Sequence, residues 1–452
     1  MSRDPENNMA LAENLVTYGR SRGASEIEVS IRVTSEFSAS VREQNVERLT
    51  EAEAKDLGIR IFVEGKAAAA ASQDFAPTTL HRIVDNAITR ARLGGVDSLA
   101  GLPDLEPVGI SAGTLKIYDP AVLELSPESK IAAAMKIEAV GLADKRINKS
   151  SGASFSSVAG MRYLANSKGF SGSYRWTSVS GSVNFQAGEG DDFQEDGWVE
   201  SSTAAAGLPE PEAIARIAVQ RVARLIGARK VENQNVPVVL EPYMTANLIL
   251  FFLTQCLAGA NIDRGQSFLL DKLGFKIGSG LMTIYNDGLM PGGLGTSLFD
   301  AEGVPARKTL VMDHGVLKSF LLNTYYGRKL KMASTGNGGE PGNFHLAKGV
   351  SKPADIIKLV DKGLLLTGMG ALGQDPTTGD ISTGVSGLWI EKGEVVFPVA
   401  GVTVSGNLGN VLRGVEMVGD DLQFNDNIVG PTIKVAQMTI GGKGTARGGE
   451  GR

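Results

Sequence analysis

Residues 238–259 read Val238-Val-Leu-Glu-Pro-Tyr-Met-Thr-Ala-Asn-Leu-Ile-Leu-Phe-Phe-Leu-Thr-Gln-Cys-Leu-Ala-Gly259. The apolar run before Pro242 predicts a strand, and the longer run after it predicts a helix, since proline is tolerated in a first helical turn. The helix is made of Leu, Ile, Phe, Thr and Gln, with no His and no Glu after Glu241. A zinc-peptidase helix carries two imidazoles and a nearby carboxylate that activates the metal-bound water. This helix therefore cannot build such a site.

The other residues that bind metals or act as nucleophiles are equally sparse. The chain has three histidines, His81, His314 and His345, and no two are close in sequence. We interpret His314 and His345 as surface-loop residues. The single cysteine, Cys256, excludes an intramolecular disulfide and any multi-cysteine metal site. Its apolar neighbours predict a buried thiol that packs as a small hydrophobe.

The bulk composition limits the class of protein. The chain has 452 residues, of which 42% are hydrophobic and 21% charged, and its net charge is −5. An acidic balance argues against a nucleic-acid surface, which normally carries a basic excess. The N-terminus has no apolar signal segment, and the longest apolar run, 248–253, is far too short to span a bilayer. We therefore expect a cytoplasmic protein that binds neither membrane nor nucleic acid.

The residue patterns predict an α+β protein with mostly antiparallel sheets. A helix over 9–21, short alternating strands between 26 and 72 and a helix over 78–93 form a helix–meander–helix unit. The same outline returns with helices over 127–144 and 211–226, and the basic face of the second of these helices, including Arg224, is expected to be solvated. We predict an N-terminal α+β domain (1–105), a middle α+β domain (110–230), a β-rich C-terminal domain (235–440) and a disordered tail (441–452).

Two glycine-rich stretches do not predict nucleotide binding. Gly368-Met-Gly-Ala-Leu-Gly373 follows an apolar strand, but turn residues come after it where a phosphate-binding helix would have to start. Gly292-Gly-Leu-Gly-Thr-Ser297 lacks the lysine of a P-loop. We interpret both as loops.

A series of punctuated phrases, in order and spacing, resembles the TldD/PmbA family, the so-called modulators of DNA gyrase. The phrases include Ala165-Asn-Ser-Lys-Gly169, Asn286-Asp-Gly288, Phe299-Asp-Ala-Glu-Gly-Val-Pro305, Ser334-Thr-Gly-Asn337, Gly379-Asp-Ile-Ser382 and Gly401-Val-Thr-Val-Ser-Gly-Asn407. The resemblance covers most of the chain. It implies that residues in these phrases belong to a family motif or a substrate groove: Asn166, Asp287, Asp300, Glu302, Ser334, Thr335, Asn337, Asp380 and Ser382.

The family has two kinds of member, and the resemblance indicates which kind this is. TldD-type chains carry a His-Glu-x-x-x-His helix and a further Cys ligand near the C-terminus. In register, the three motif positions fall on Leu250, Phe251 and Gln255, and Asp426-Asn-Ile-Val-Gly-Pro431 contains no Cys. The resemblance thus implies a PmbA/TldE-type chain without a catalytic residue, metal or cofactor of its own. It also implies a TldD-type metal-bearing partner and a peptide substrate, and we expect a homodimer when that partner is absent.

Two other function classes stay open from the sequence. The chain could be a peptidase or hydrolase in its own right, using carboxylates such as Asp300, Glu302 or Asp380. It could also be a binding or regulatory protein that acts on gyrase or on toxin–antitoxin peptides. The sequence does not identify the substrate in any of these cases.

Overall fold

The computed structural model of the chain describes residues 5–442. Its first half contains α1 (Pro5–Ser21), β1 (Glu26–Arg42), β2 (Asn45–Val63), β3 (Lys66–Ser72), α2 (Pro77–Leu93), α3 (Ala112–Leu115), α4 (Ala121–Glu124), α5 (Pro127–Leu142), β4 (Ile147–Asn166), β5 (Ser171–Ala187), β6 (Gln194–Ser202) and α6 (Pro211–Ala223).

The second half begins with β7 (Gln234–Leu240), α7 (Pro242–Met244), a π-helical turn (Thr245–Leu250), α8 (Phe251–Leu257), α9 (Gly259–Asp263), β8 (Ile284–Asp287), β9 (Lys308–Asp313), β10 (Val316–Leu317) and α10 (Thr324–Leu330). It continues with β11 (Asn343–Leu346), α11 (Pro353–Lys358), β12 (Lys362–Asp375), β13 (Asp380–Glu391), β14 (Glu394–Asn407), α12 (Leu408–Arg413), β15 (Val415–Val418), β16 (Ile428–Val429) and β17 (Ile433–Gly441).

One antiparallel sheet runs through the first half in the order β3-β2-β1-β4-β5-β6. Apolar side chains alternate along each strand, so one face of this sheet is apolar. The helices α1 and α2 cover that face at one end of the sheet, and α5 and α6 cover it at the other end. The pairing of β1 with β4, from Glu28 opposite Asn166 to Val41 opposite Ala153, joins the predicted N-terminal and middle units into one sheet. Their division into two domains remains a proposal.

The second half contains a barrel and a smaller mixed sheet. Strands β14, β13, β12, β7 and β17 pair in that order, and β14 also pairs with β17, which closes the ring. Only the pairing of β12 with β7 is parallel within this group. The smaller sheet has the order β10-β9-β8-β11-β16. The predicted α+β class with mostly antiparallel sheets and a β-rich C-terminal region is confirmed.

Several local predictions differ from the structure. Residues 368–373, interpreted as a loop, lie inside β12, where bulges interrupt the pairing with β13. His345 was wrongly assigned to a surface loop, since it is buried in β11 at 6% exposure. His314 does occupy the predicted turn, between β9 and β10. Cys256 is fully buried as predicted, and burial raises the pKa of its thiol to about 12.

Two predictions concern the C-terminal tail and membrane-spanning helices. Most of the predicted disordered tail, residues 443–452, lies outside the described residues, whereas Gly441 still belongs to β17. Within residues 5–442, none of the helices combines the length and the apolar character needed to cross a membrane.

Candidate functional site

The helical residues 242–257 form a buried rod beside the barrel. The backbone leaves β7 at Leu240, and Thr245 N–H donates to the Glu241 carbonyl at 2.9 Å as the helical turns begin. A π-helical turn interrupts the regular α-helix before Phe251. Most of the rod is completely buried in the largest apolar core, including Leu248, Ile249, Leu250, Phe252 and Leu253. The rod therefore packs as core.

Leu250, where the family resemblance places the first histidine of the motif, lies against Gly430. A Cβ atom at position 430 would lie 2.5 Å from Thr245 Cγ2 and 3.1 Å from Leu250 Cδ1. The structure thus places this helix position against the C-terminal segment around Gly430. Methyl groups occupy the space, so a thiol side chain cannot be accommodated at residue 430 without displacing them.

Phe251 and Gln255, the other two motif positions, do not face the same place as Leu250. The Phe251 ring is 45% exposed. The Gln255 side chain turns towards β12, where its Oε1 accepts a hydrogen bond of 2.6 Å from Gln374 Nε2. The three positions do not converge on a common point.

These residues do not fit a catalytic metal ion. The motif positions offer a branched alkyl group, a phenyl ring and an engaged amide, none of which is a usual ligand for zinc. Among residues 5–442 there is also no group of three His, Cys, Asp or Glu side chains placed to hold a metal. No chemical step can be derived through a metal at this site.

A cavity of about 630 Å³ opens beside the first turns of the rod. Its walls come from β5, β6, α6, the segment 241–247 and the segment 421–430. Its size is in the range of small-molecule and peptide sites. The side chains that set its polarity are Asp196, Trp198, Arg221, Glu241 and Tyr243.

Arg221 is the organising residue of this cavity. Its guanidinium lies 5.1 Å from the Trp198 ring centroid and 5.3 Å from that of Tyr243. It donates to the Thr367 carbonyl at 2.7 Å and to the Gly197 carbonyl at 3.0 Å. The side chain is 8% exposed, so α6, β6 and β12 are joined by one buried cation.

Glu241 holds the N-terminal end of the rod in place. Its two carboxylate oxygens accept hydrogen bonds of 2.6 and 2.7 Å from Arg224, a bidentate pair. Arg221 Nη1 lies 3.6 Å from the same carboxylate. The predicted solvated basic face does not extend to Arg224 at the end of α6, because this side chain is 26% exposed and paired with Glu241.

Asp196 is the least satisfied group in the cavity. Its Oδ1 accepts hydrogen bonds from Arg221, whereas its Oδ2 lies 3.2 Å from Arg221 Nη2 without forming a hydrogen bond of acceptable geometry. Burial raises the pKa of this carboxyl despite the nearby arginine. No local pattern in the sequence singles out Asp196, which is 25 positions from Arg221.

Five of the predicted motif residues meet in a separate cluster at the junction of the two halves. They are Asp300, Glu302, Ser334, Thr335 and Asn337. Asp300 accepts backbone N–H bonds from Glu302, Val304 and Gly338 at 2.8–3.0 Å. Burial raises the pKa of Asp300 to about 6. These side chains hold the loops 300–304 and 334–340 in place.

Glu302 connects this cluster to the first sheet. Its Oε1 accepts from Arg60 at 2.9 Å, and Arg60 also donates to both oxygens of Glu28. Its Oε2 accepts from Thr324 N at 2.7 Å. Burial opposes ionisation of Glu302, yet the Arg60 charge and the Thr324 hydrogen bonds hold its pKa below the usual value.

The remaining motif residues do not join either group. Asn166 Oδ1 caps the β4–β5 turn by accepting from Lys168 N and Phe170 N. Asp287 pairs with Lys308 at 3.2 Å. Asp380 accepts from Thr378 and Asn407 at the β12–β13 hairpin, and Ser382 is exposed on β13. Each has a local structural contact or an open position.

The family models and the similar proteins all point to the same family. The models of the PmbA/TldA metallopeptidase family match residues 27–91 with domain 1, 120–226 with the central domain and 233–442 with the C-terminal domain. The metalloprotease PmbA of Escherichia coli O157:H7 is 32% identical over 94% of this chain and 93% of its own length. A metalloprotease TldD homolog of Buchnera aphidicola is 29% identical over 49% of this chain and 51% of its own.

Solved structures agree with this. A Bacteroides thetaiotaomicron protein described as a proposed modulator of DNA gyrase superposes with a TM-score of 0.89 and 26% identity, over 97% of this chain and 99% of that one. TldE from Thermococcus kodakarensis superposes with a TM-score of 0.84 over 96% of this chain and 100% of that one. At 23% identity, the second likeness shows the fold alone.

Proposed function

Because the chain belongs to the TldD/PmbA family, we propose that it is a PmbA/TldE-type subunit of a cytoplasmic complex that degrades or matures peptides. Its TldD-type partner supplies the metal and the catalysis, and this chain supplies part of the chamber that receives the peptide. The observation that carries the proposal is the contact of Leu250 and Thr245 with Gly430. Apolar packing fills the place to which the family resemblance assigns the ligands of TldD-type chains, and this supports the proposal.

The cavity beside the rod supports a role in holding substrate. Trp198 and Tyr243 provide flat apolar walls, and the arginine-paired carboxylates of Asp196 and Glu241 add polar groups to the lining. The arginine Arg221 is already bonded to protein atoms, so it positions the walls and is not free to act as an acid or base.

The carboxylates considered for an independent hydrolase are engaged. Asp300 accepts three backbone N–H bonds, Glu302 is paired with Arg60, and Asp380 is bonded at a hairpin. A general base must reach the proton that it abstracts. No observation favours the hydrolase or the gyrase-binding alternative over the subunit role.

The test compares the lone chain with a co-purified complex containing a TldD-type chain. We expect the lone chain to retain no equivalent of zinc or iron after dialysis and to leave an unstructured peptide intact. The complex should cleave the peptide, and a Glu→Gln change in the partner's His-Glu-x-x-x-His motif should abolish cleavage. Metal-independent cleavage by the lone chain would refute the proposal.

A pair of variants tests the chamber role within the active complex. Tyr243→Ala removes a wall of the cavity and should raise KM for the peptide while kcat changes little. Val350→Ala is the matched control, since Val350 is 94% exposed and does not line the cavity. Equal kinetics for the two variants would exclude a contribution of this cavity to substrate binding.

A further inference from the structure

A second cavity, of about 370 Å³, lies on the face of the first sheet that the helices leave uncovered. Its floor is formed by side chains of β1, β4 and β5, and its roof by the glycine-rich loop 293–296. Among its lining residues are two arginines, Arg32 and Arg162, and the hydroxyl groups of Ser178, Thr203 and Thr296. Neither the rod nor the motif cluster includes these residues.

Arg32 and Arg162 are directly opposite each other on the antiparallel strands β1 and β4. Like charges in this position repel and destabilise a sheet. Within the part of the chain that the structure describes, neither arginine forms an ion pair with a carboxylate that would offset this repulsion. Asp56, opposite Arg32 on its other side, instead accepts a hydrogen bond from Gln73 at 2.8 Å.

Aromatic side chains hold the two guanidinium groups in place. Trp176 lies flat over Gly160, where a Cβ atom would be 2.0 Å from its ring, and the Arg32 guanidinium lies 5.2 Å from the Trp176 centroid. Tyr174 is directly opposite Arg162 on β5 and lies close enough for the Arg162 charge to lower a Tyr174 pKa that burial raises. Two arginines held in this way lose less side-chain entropy when they bind a ligand.

The roof of the cavity depends on glycine. A Cβ atom at Gly293 would lie 2.6 Å from the Asn343 amide, and one at Gly295 would lie 2.4 Å from the Gly342 carbonyl carbon. The loop is tied down by Gly295 N–H donating to Asn343 Oδ1 at 2.8 Å and by Thr203 Oγ1 donating to the Gly292 carbonyl at 3.0 Å. Because residues 293 and 295 are glycine, this loop can pack closely over the two arginines.

We propose that this cavity binds an oxyanion, a carboxylate or a phosphate group carried by a small ligand, between Arg32 and Arg162. The guanidinium fork matches the paired oxygens of either group, and an anion would cancel the repulsion between the two cations. The volume, at the lower end of the range for small-molecule sites, suits a peptide end or a small phosphate compound. This site is independent of the proposed peptidase role.

Isothermal titration of the full chain at constant ionic strength tests the proposal. The probes are inorganic phosphate, an acetylated tri-alanine with a free carboxylate, and the same peptide as its amide. We expect phosphate or the free-carboxylate peptide to bind and the amide not to bind. Arg32→Gln and Arg162→Gln should each weaken binding at least about tenfold, the effect of losing one charge-assisted hydrogen bond.

Arg175→Gln is the matched control, because Arg175 is an arginine of the same sheet, on β5, but lies over the Tyr118 ring and does not line the cavity. It should leave binding unchanged. Without a probe, both cavity variants should melt at the wild-type temperature or higher, since each removes a repulsion. The proposal is overturned if wild-type protein binds neither anionic probe at millimolar concentration, or if Arg175→Gln weakens binding as much as the cavity variants. Preferential binding of one probe identifies the source of the oxyanion.

Discussion

At the scale of single residues, Gly430 is one of the most tightly enclosed positions beside the rod. Gly430 is closed in by Thr245 and Leu250, which belong to the π-helical turn of the rod. The family resemblance implies that Leu250 occupies the position of a metal-binding histidine of TldD-type chains. The methyl groups of Thr245 and Leu250 leave no space for a larger side chain at position 430.

Gly430→Ala should destabilise the protein by about 1–3 kcal/mol, the usual cost of overpacking a core. Gly384→Ala is the control, because nothing lies within 4 Å of a Cβ atom there. Adding Thr245→Ser, which removes the closest methyl group, should recover part of the loss in a double-mutant cycle. Urea unfolding measures the wild type, the two single variants, the double variant and the control, and a loss no larger than that of the control would contradict this account.

Asp300 should make stability depend on pH. Its folded pKa of about 6 is above the ordinary value of 3.8, so the folded state binds this proton more tightly than the unfolded state does. This contribution is fully present below the unfolded pKa and is lost as the pH rises through 6. Between pH 5 and 7.5 the free energy of unfolding of the wild type should fall by about 1–2 kcal/mol relative to Asp300→Asn. Parallel pH profiles for the two proteins would refute the assignment.

The sequence could name many of these residues but could not give their roles. The motif phrases singled out Asp300 and Glu302, yet whether a carboxylate caps a loop or faces a substrate depends on the backbone around it. Asp196 and Arg221 were missed because they are on different elements and each belongs to an ordinary local pattern. A buried ion pair between distant positions has no signature in a single sequence.

At the scale of elements, α6 and β6 depend on a buried cation more than their amphipathic patterns suggest. Arg221 donates hydrogen bonds to the Asp196 carboxylate and to the backbone carbonyls of Gly197 and Thr367. Arg221→Met should lower stability by about 3–5 kcal/mol, because the buried carboxylate is left without its partner. Arg216→Met, on the exposed side of the same helix, should change stability by no more than about 0.5 kcal/mol. Guanidinium chloride unfolding provides the comparison.

A second variant separates a lost charge pair from lost packing at this position. Adding Asp196→Asn to Arg221→Met should restore part of the stability, since no buried charge then stays unpaired. If the double variant is as unstable as the sum of its parts, packing of the arginine stem against Trp198 and Tyr243 is the dominant effect.

Helix ends were more predictable than strand lengths. The predicted helix over 78–93 is α2, Pro77–Leu93, because proline and glycine mark its two ends. The strands of the first sheet are 17–20 residues long in β1, β2, β4 and β5, far longer than the short runs expected. Their outer halves carry Ser, Glu and Gly, which weakens the two-residue alternation that identifies a strand.

At the scale of the whole molecule, the two halves are joined by polar contacts across great sequence distances. Arg60 and Glu302 are 242 positions apart, and Tyr325 hydrogen-bonds Asp97 across 228 positions. Such contacts depend on how the first sheet and the barrel are oriented, which local patterns do not encode. The family resemblance predicted the family correctly, but the two cavities appear only when the halves are placed together.

The C-terminal half has an exposed apolar segment that we expect to take part in a subunit interface. Four large apolar side chains between positions 270 and 281 are at least partly uncovered: Leu270 at 40%, Leu273 at 38%, Phe275 at 62% and Leu281 at 52% exposure. All belong to the C-terminal half, which we expect to supply most of a subunit interface. A lone chain should form a two-fold homodimer that buries well above roughly 1,000 Å², and a TldD-type chain should replace one protomer.

Light scattering coupled to size-exclusion chromatography measures these masses directly. Phe275→Asp should produce a monomer, because a charge in an apolar interface is costly to bury. Val350→Asp is the control, since Val350 is equally apolar and more exposed but lies outside this segment. A wild-type monomer across micromolar concentrations that does not change when a TldD-type chain is added would remove the basis for a subunit role. The apolar rod would then serve the core of this chain alone.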